Sequence, residues 1–200
     1  MTTAVKERPI LFTEPMVRAI VAGQKTQTRR LVNPKYSWDV DDSEGVNKVY
    51  YPCYVTGEPE AMEVPCPYGD VGDRLYVRET WSVVPHVTED GPKNKAKGDG
   101  TGVTWRAAWD GNPSGFKWKP SIHMPRWASR IKLEIVRVGV ERLQDLSDQD
   151  AIAEGVRCAG VPASLSDRGA YAKLWESING PGSWDLNPWV WVIEFKKLSP

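Results

Sequence analysis

The densest chemistry in the chain runs from Gly23 to Arg30, which reads Gly-Gln-Lys-Thr-Gln-Thr-Arg-Arg. Lys25, Thr26, Thr28, Arg29 and Arg30 place an amine, two hydroxyls and two guanidiniums close together. Run as a strand, this segment alternates its side chains between two faces, so Thr26, Thr28 and Arg30 share one, with Lys25 at the turn above. A hydroxyl, an amine and a guanidinium converging at the mouth of a strand can bind a phosphate or activate a hydroxyl nucleophile. The same residues would also serve as a solvated basic edge strand, protected by charge from mispairing. A second cluster is Arg78, Glu79 and Trp81. Its guanidinium fork suits a phosphate or base edge, its carboxylate accepts from an exocyclic amine such as cytosine's, and its indole can stack on a base. An Arg78–Glu79 ion pair beside a core tryptophan is the plainer alternative.

The elements that must position these groups are short. Pro9–Phe12 reads as a strand entering a helix, with Thr13 as N-cap, Glu14 and Pro15 in the first turn, and Val17, Ile20 and Val21 at helical spacing. Gly23 ends that helix, because the left-handed cap conformation costs glycine little. Gly69–Trp81 has strand character. Ile131, Leu133 and Ile135 alternate, then Val136, Val138 and Val140, and the phase change predicts a bulge. Ser147-Asp148-Gln149-Asp150 caps a two-turn helix running to Gly155. A further helix spans about 168–178 with Tyr171, Leu174, Trp175 and Ile178 on one stripe, and Gly180 ends it. Trp189–Phe195 is apolar enough for a strand buried on both faces. Residues 33–68 and 83–126 read as two irregular inserts, with 87–103 as the likeliest mobile loop. Strands scattered among short helices indicate an α+β fold in one domain over 1–200.

The motif Gly23-x-Lys25-x-x-x-x-Arg30 resembles the defining signature of the ASCH domain, a small mixed β-barrel similar to the PUA fold. The compact N4-acetylcytidine amidohydrolases of that family use a lysine and a threonine from this motif and a downstream glutamate. The resemblance puts Lys25 and Thr28 on the first two. Leu146–Glu154 is similar to the helix bearing the third and puts Glu154 on it. Gly72–Val77 resembles the second barrel strand and Trp191–Phe195 the last. The likeness covers roughly 8–32, 70–82, 128–155 and 186–198, about half the chain. Larger phage and prophage ASCH proteins share Cys66-Pro67-Tyr68-Gly69 and Arg78-Glu79-Thr80-Trp81. This chain departs from the compact enzymes in the long separation of Thr28 from Glu154 and in both inserts.

What the resemblance implies is a hydrolytic set of Lys25, Thr28 and Glu154, with Thr26, Arg29, Arg30, Arg78, Glu79 and Trp81 around the substrate. A threonine hydroxyl needs a base to take its proton. Lysine serves only if burial or neighbouring cations bring its pKa well below about 10.4. Arg29 and Arg30 push that way and an ionised Glu154 pushes back, so Glu154 must be protonated, distant, or paired with an arginine. Glu154 could then protonate the leaving amine. A surface Lys25–Glu154 ion pair worth at most about 1 kcal/mol is the alternative. The implied substrate is a nucleoside or single-stranded RNA or DNA carrying an N-acylated cytosine-type base. A non-catalytic RNA-binding module, or a metal-independent endoribonuclease, is the competing reading.

Composition narrows the classes. Lysine plus arginine and aspartate plus glutamate are both 26, which argues against a protein that coats nucleic acid non-specifically and leaves room for a local basic site. Ten tryptophans against three phenylalanines suit half-buried shelves or base-stacking surfaces. The run Trp105, Arg106, Trp109, Phe116, Lys117, Trp118, Lys119, His123, Arg126, Trp127 reads either as a stacking strip or as a tryptophan-rich insert packed over the barrel. Cys53, Cys66 and Cys158 with His86 and His123 lack the local pairs of a zinc site, so no metal or other cofactor is expected. Three cysteines make no disulfide framework, and neither a signal peptide nor a long apolar run is read. The expectation is a cytoplasmic protein with no membrane partner.

Overall fold

The computed structural model describes residues 5–33, 39–41, 48–55, 58–83, 86–88, 91–93, 102–109, 115–158 and 165–199. Its elements, in chain order, are β1 (Glu7–Leu11), α1 (Glu14–Val21), β2 (Gln27–Leu31), β3 (Asp39–Asp41), β4 (Lys48–Val55), β5 (Glu58–Val64), β6 (Arg74–Arg78), β7 (Trp81–Val83), β8 (His86–Thr88), β9 (Gly91–Lys93), β10 (Val103–Trp105), β11 (Lys132–Arg142), α2 (Asp148–Ala153), α3 (Asp167–Asn179) and β12 (Trp189–Lys197). The main sheet has the order β1-β6-β11-β12-β2, with β1 parallel to β6 and every other pair antiparallel. The class is α+β. Among the described residues no helix is long and apolar enough to cross a membrane.

Alternating apolar residues on these strands build the main core. Ile10, Leu75, Val77, Leu133, Ile135, Ile193 and Phe195 are buried together, and α1 adds Val17 and Ile20. Register shifts between Ile135 and Arg137, where the phase of the sequence pattern changes, and Val136 is left exposed. A second core gathers Leu146 and Ala151 with Tyr171 and Trp175 of α3 against Val190. β12 therefore belongs to both cores. A third, smaller cluster packs Trp81, Val103, Met124 and Ala128.

The main sheet does not close into a barrel, and no other sheet among the described residues does. Its edge strands β1 and β2 exchange no ladder bonds. Instead the Arg30 guanidinium donates to the Leu11 carbonyl at 2.6 Å and lies 5.2 Å from the Phe12 ring centre. The first insert is also more regular than its sequence suggests, since β3, β4 and β5 form an antiparallel sheet. Pro52 and Pro59 sit inside β4 and β5, and proline argues against strands because it cannot donate to a ladder. Valine and tyrosine in Lys48–Val55 carry the strand preference that overrides it. In the second insert β7 pairs with β10 and β8 with β9; residues 89–90 and 94–101 of the expected loop lie outside the described residues.

Candidate functional site

Two helix ends meet at the site. At the end of α1, Gln24 N–H bonds the Ala19 carbonyl at 2.8 Å and Gly23 N–H bonds that of Ile20 at 3.1 Å, with Gly23 at φ +74°. This paired closure turns the chain sharply and delivers Lys25 before β2 begins. α2 starts with the expected capping box: the Asp150 N–H donates to the Ser147 hydroxyl while the Asp150 carboxylate accepts from the Ser147 N–H. It stops at Glu154, and Gly155 follows at φ +76°. A Cβ on Gly155 would lie 3.0 Å from the Cβ atoms of both Ala19 and Lys25. Glycine here permits the two helix ends to touch. Thr26 N–H then docks on the Ala153 carbonyl at 2.8 Å.

Lys25 and Glu154 come together across 129 positions of sequence. The Lys25 ammonium donates to Glu154 Oε2 at 2.7 Å, to the Glu154 carbonyl at 2.8 Å and to the Gln27 carbonyl at 2.8 Å. All three donors are used, and Lys25 as a whole is 2 % exposed. A cation here also complements the C-terminal end of the α2 dipole. The other Glu154 oxygen accepts from Arg29 at 3.3 Å, and Arg29 reaches on to Glu141 at 2.7 Å and Asp150 at 3.6 Å. Burial pulls the Lys25 pKa below its ordinary value; Glu154 opposes that, while Arg30 and Arg29 add to it. Burial also works against the Arg29 charge, but Glu154 and Glu141 more than offset it. Glu141 is pushed up by burial, with Arg29 opposing.

A cavity of about 600 Å³ opens beside this network. Thr28, Arg29, Arg30 and Glu154 line one side; Leu11, Phe12, Thr13, Glu14 and Met16 line another; α3 contributes Tyr171, Leu174, Trp175, Ile178 and Asn179. Lys25 is not part of the wall but sits behind it, on Glu154 and 5.5 Å from the Phe12 ring centre. The Thr28 hydroxyl has no hydrogen-bond partner among the described residues. An unengaged hydroxyl and a carboxylate on a buried amine thus share one apolar-floored cavity, a combination suited to nucleophilic attack with proton transfer.

No family model matches the chain, and no curated protein or solved structure does either. The site therefore stands on its own geometry.

Several residues expected around the substrate lie elsewhere. Thr26 is exposed and outside the cavity lining, because β2 begins one residue later and its backbone is spent on Ala153 and Phe195. Glu79 is buried and accepts two bonds from Arg130 at 2.9 and 3.1 Å, so the pairing is with Arg130 rather than Arg78. Burial pushes the Glu79 carboxyl up, opposed by Arg130. Arg78 donates to the Ile122 carbonyl. Trp81 is buried edge-on against Trp127 at 6.0 Å, with Lys119 4.8 Å from its ring centre. In the aromatic run, Trp109, Phe116 and Trp118 pack ring to ring at 5.6 and 5.4 Å, and Trp109 is exposed. Cys66 is buried and its thiol pushed up to about 11 by burial; the side chains of Cys53, Cys158 and His86 lie outside the described residues.

Sequence reasoning missed Glu141, Asp150, Gln27 and Tyr171 as neighbours of the site. Tyr171 was legible as part of a stripe. The four residues of that stripe, read as the apolar face of α3, all line the cavity.

Proposed function

We propose that this chain is an ASCH-type, PUA-like domain that hydrolyses the amide of an N-acylated cytosine-type base, on a nucleoside or single-stranded nucleic acid. The observation that carries the reading is the Lys25–Glu154 contact of 2.7 Å, with Glu154 and Thr28 lining the same cavity. Moving one proton along that contact leaves a neutral amine and a neutral carboxylic acid. Lys25 then takes the Thr28 proton as Thr28 oxygen attacks the acyl carbon. The C–N bond breaks and Glu154 gives its proton to the leaving amine, leaving an acyl-Thr28 ester and a Glu154 carboxylate. Water attacks the ester, its proton passing to Glu154, and the departing Thr28 oxygen recovers a proton from Lys25. Arg29 supports the set by holding Glu154 while leaving one carboxylate oxygen to Lys25.

Incubation with a panel of acylated cytidines, followed by mass, tests this. The expected result is free carboxylic acid and deacylated nucleoside, with turnover lost at least about 100-fold in Thr28→Val and in Lys25→Arg, as for loss of a nucleophile or base. A second reading, a non-catalytic RNA-binding module, is favoured by one fact: every Lys25 donor is satisfied within the protein. Wild-type protein that turns over none of the panel, but binds RNA with steep salt dependence, would establish that reading instead.

A further inference from the structure

β2 is an edge strand that lines the cavity. Among the described residues it pairs with β12 alone, with Ile193 opposite Thr28 and Trp191 opposite Arg30. At the two ends of that pairing the Phe195 N–H donates to the Thr26 carbonyl at 2.8 Å and the Val32 N–H to the Trp189 carbonyl at 3.0 Å. Residues along an antiparallel strand alternate between turning both main-chain groups to one neighbour and turning both away. Thr26, Thr28, Arg30 and Val32 therefore face β12, and Gln27, Arg29 and Leu31 face outward. The Gln27 carbonyl agrees, since it accepts from the Lys25 ammonium at 2.8 Å. Arg29 and Leu31 remain, and both line the cavity. Arg29 is 4 % exposed as a whole and its side chain only 1 %, so its main chain is the more exposed part.

We infer that the outward main-chain groups of Arg29 and Leu31 read the hydrogen-bonding edge of the base, taking it as they would take a further strand. In naming the base the inference rests on the acyl-cytosine reading; the open edge itself does not. One strand residue offers an N–H donor and a C=O acceptor that point the same way. An N4-acylated cytosine offers the complement, its ring N3 as acceptor beside its amide N–H as donor. A base on this edge lies next to Thr28, the residue before Arg29, where its acyl group is to be attacked. An extended peptide is the other ligand that a free edge takes. The stretch here is too short for one, because the Gln27 carbonyl is spent on Lys25 and β2 ends at Leu31, whereas an ordinary strand runs to about five or six residues. The cavity of about 600 Å³ is of small-molecule size.

Residue-resolved amide hydrogen exchange by NMR on the full chain tests the edge before any ligand is added. The Arg29 and Leu31 amides are expected to exchange at least about ten-fold faster than those of Thr28 and Arg30, which the ladder protects. Equal protection at all four overturns the inference. The base is then tested with N4-acetylcytidine, its N4-methyl derivative, which lacks the amide N–H, and its 3-deaza analogue, which lacks the ring acceptor. Thr28→Val keeps the substrate intact for calorimetry. Each analogue is expected to bind about ten-fold more weakly than N4-acetylcytidine, as for one lost hydrogen bond. N4-acetylcytidine should also slow exchange at Arg29, Leu31 or both, and leave Arg30 unmoved. Should Thr28→Val fail to fold by its melting curve, KM ratios of the three compounds with wild type give the same comparison. Turnover of N4-acetylcytidine by wild type, with no amide protected and all three compounds binding alike, overturns the inference and leaves the acyl-cytosine reading standing. If N4-acetylcytidine neither binds nor is turned over, that reading has failed and the proposed ligand of the edge falls with it.

Discussion

Lys25 sets the residue-scale behaviour, because an amine sealed from water is held charged only by its partners. Folding lowers its pKa from the ordinary 10.5, burial being the largest cause. Between the folded value and 10.5 the unfolded chain binds more protons than the folded one, so stability should rise with pH across that window. Lys25→Met should abolish the rise, as denaturation curves at stepped pH would reveal. It should also cost about 3 kcal/mol near neutrality by leaving Glu154 with Arg29 alone. Glu154→Gln removes the strongest influence holding the amine up, so the Lys25 pKa should fall further; side-chain NMR of Lys25 reads this directly, and an unmoved or raised value would contradict the pairing.

At the scale of elements, the site depends on two helix ends fitting against each other. Gly155→Ala forces a left-handed backbone onto a residue with a Cβ, which costs roughly 1–2 kcal/mol, and it drives that Cβ into Ala19 and Lys25. We expect a loss of at least this size in chemical denaturation, with turnover falling more than stability explains because Lys25 is displaced. Ser147→Ala removes one half of the capping box and should cost about 1 kcal/mol. Its effect on the site should be small, since Ser147 lies at the other end of α2 from Glu154. Equal losses of activity in the two variants would show that α2 stability, not the helix-end contact, governs the site.

For the whole molecule, β12 joins two cores: Ile193 is buried in the sheet core and Val190 in the core under α3. The two should therefore unfold together. Ile193→Ala and Leu146→Ala, one in each core, should each cost about 2–5 kcal/mol and lower a single shared transition monitored by tryptophan fluorescence and circular dichroism. Two separated transitions in either variant would mean that the cores are independent.

Local pattern accounts for what the sequence determined by itself. The α1 stop at Gly23, the capping box at Ser147, the bulge after Ile135, the stripe of α3 and the apolar final strand all rest on neighbours within a few residues. The grouping of Lys25 with Glu154 was legible only through a family resemblance, since spacing cannot link groups 129 positions apart. Tertiary structure alone decided the rest. Glu79 turned inward because Arg130, distant in sequence, offered a bidentate partner. Thr26 was excluded from the cavity because its backbone was needed to join α2 to β12. The Arg30 bridge between two edge strands depends on how far the sheet curves, and α3 became a cavity wall because Trp184 and Val190 fill the space behind it. Periodicity reports that a face is apolar; only packing decides whether that face meets another chain segment or encloses space for a ligand.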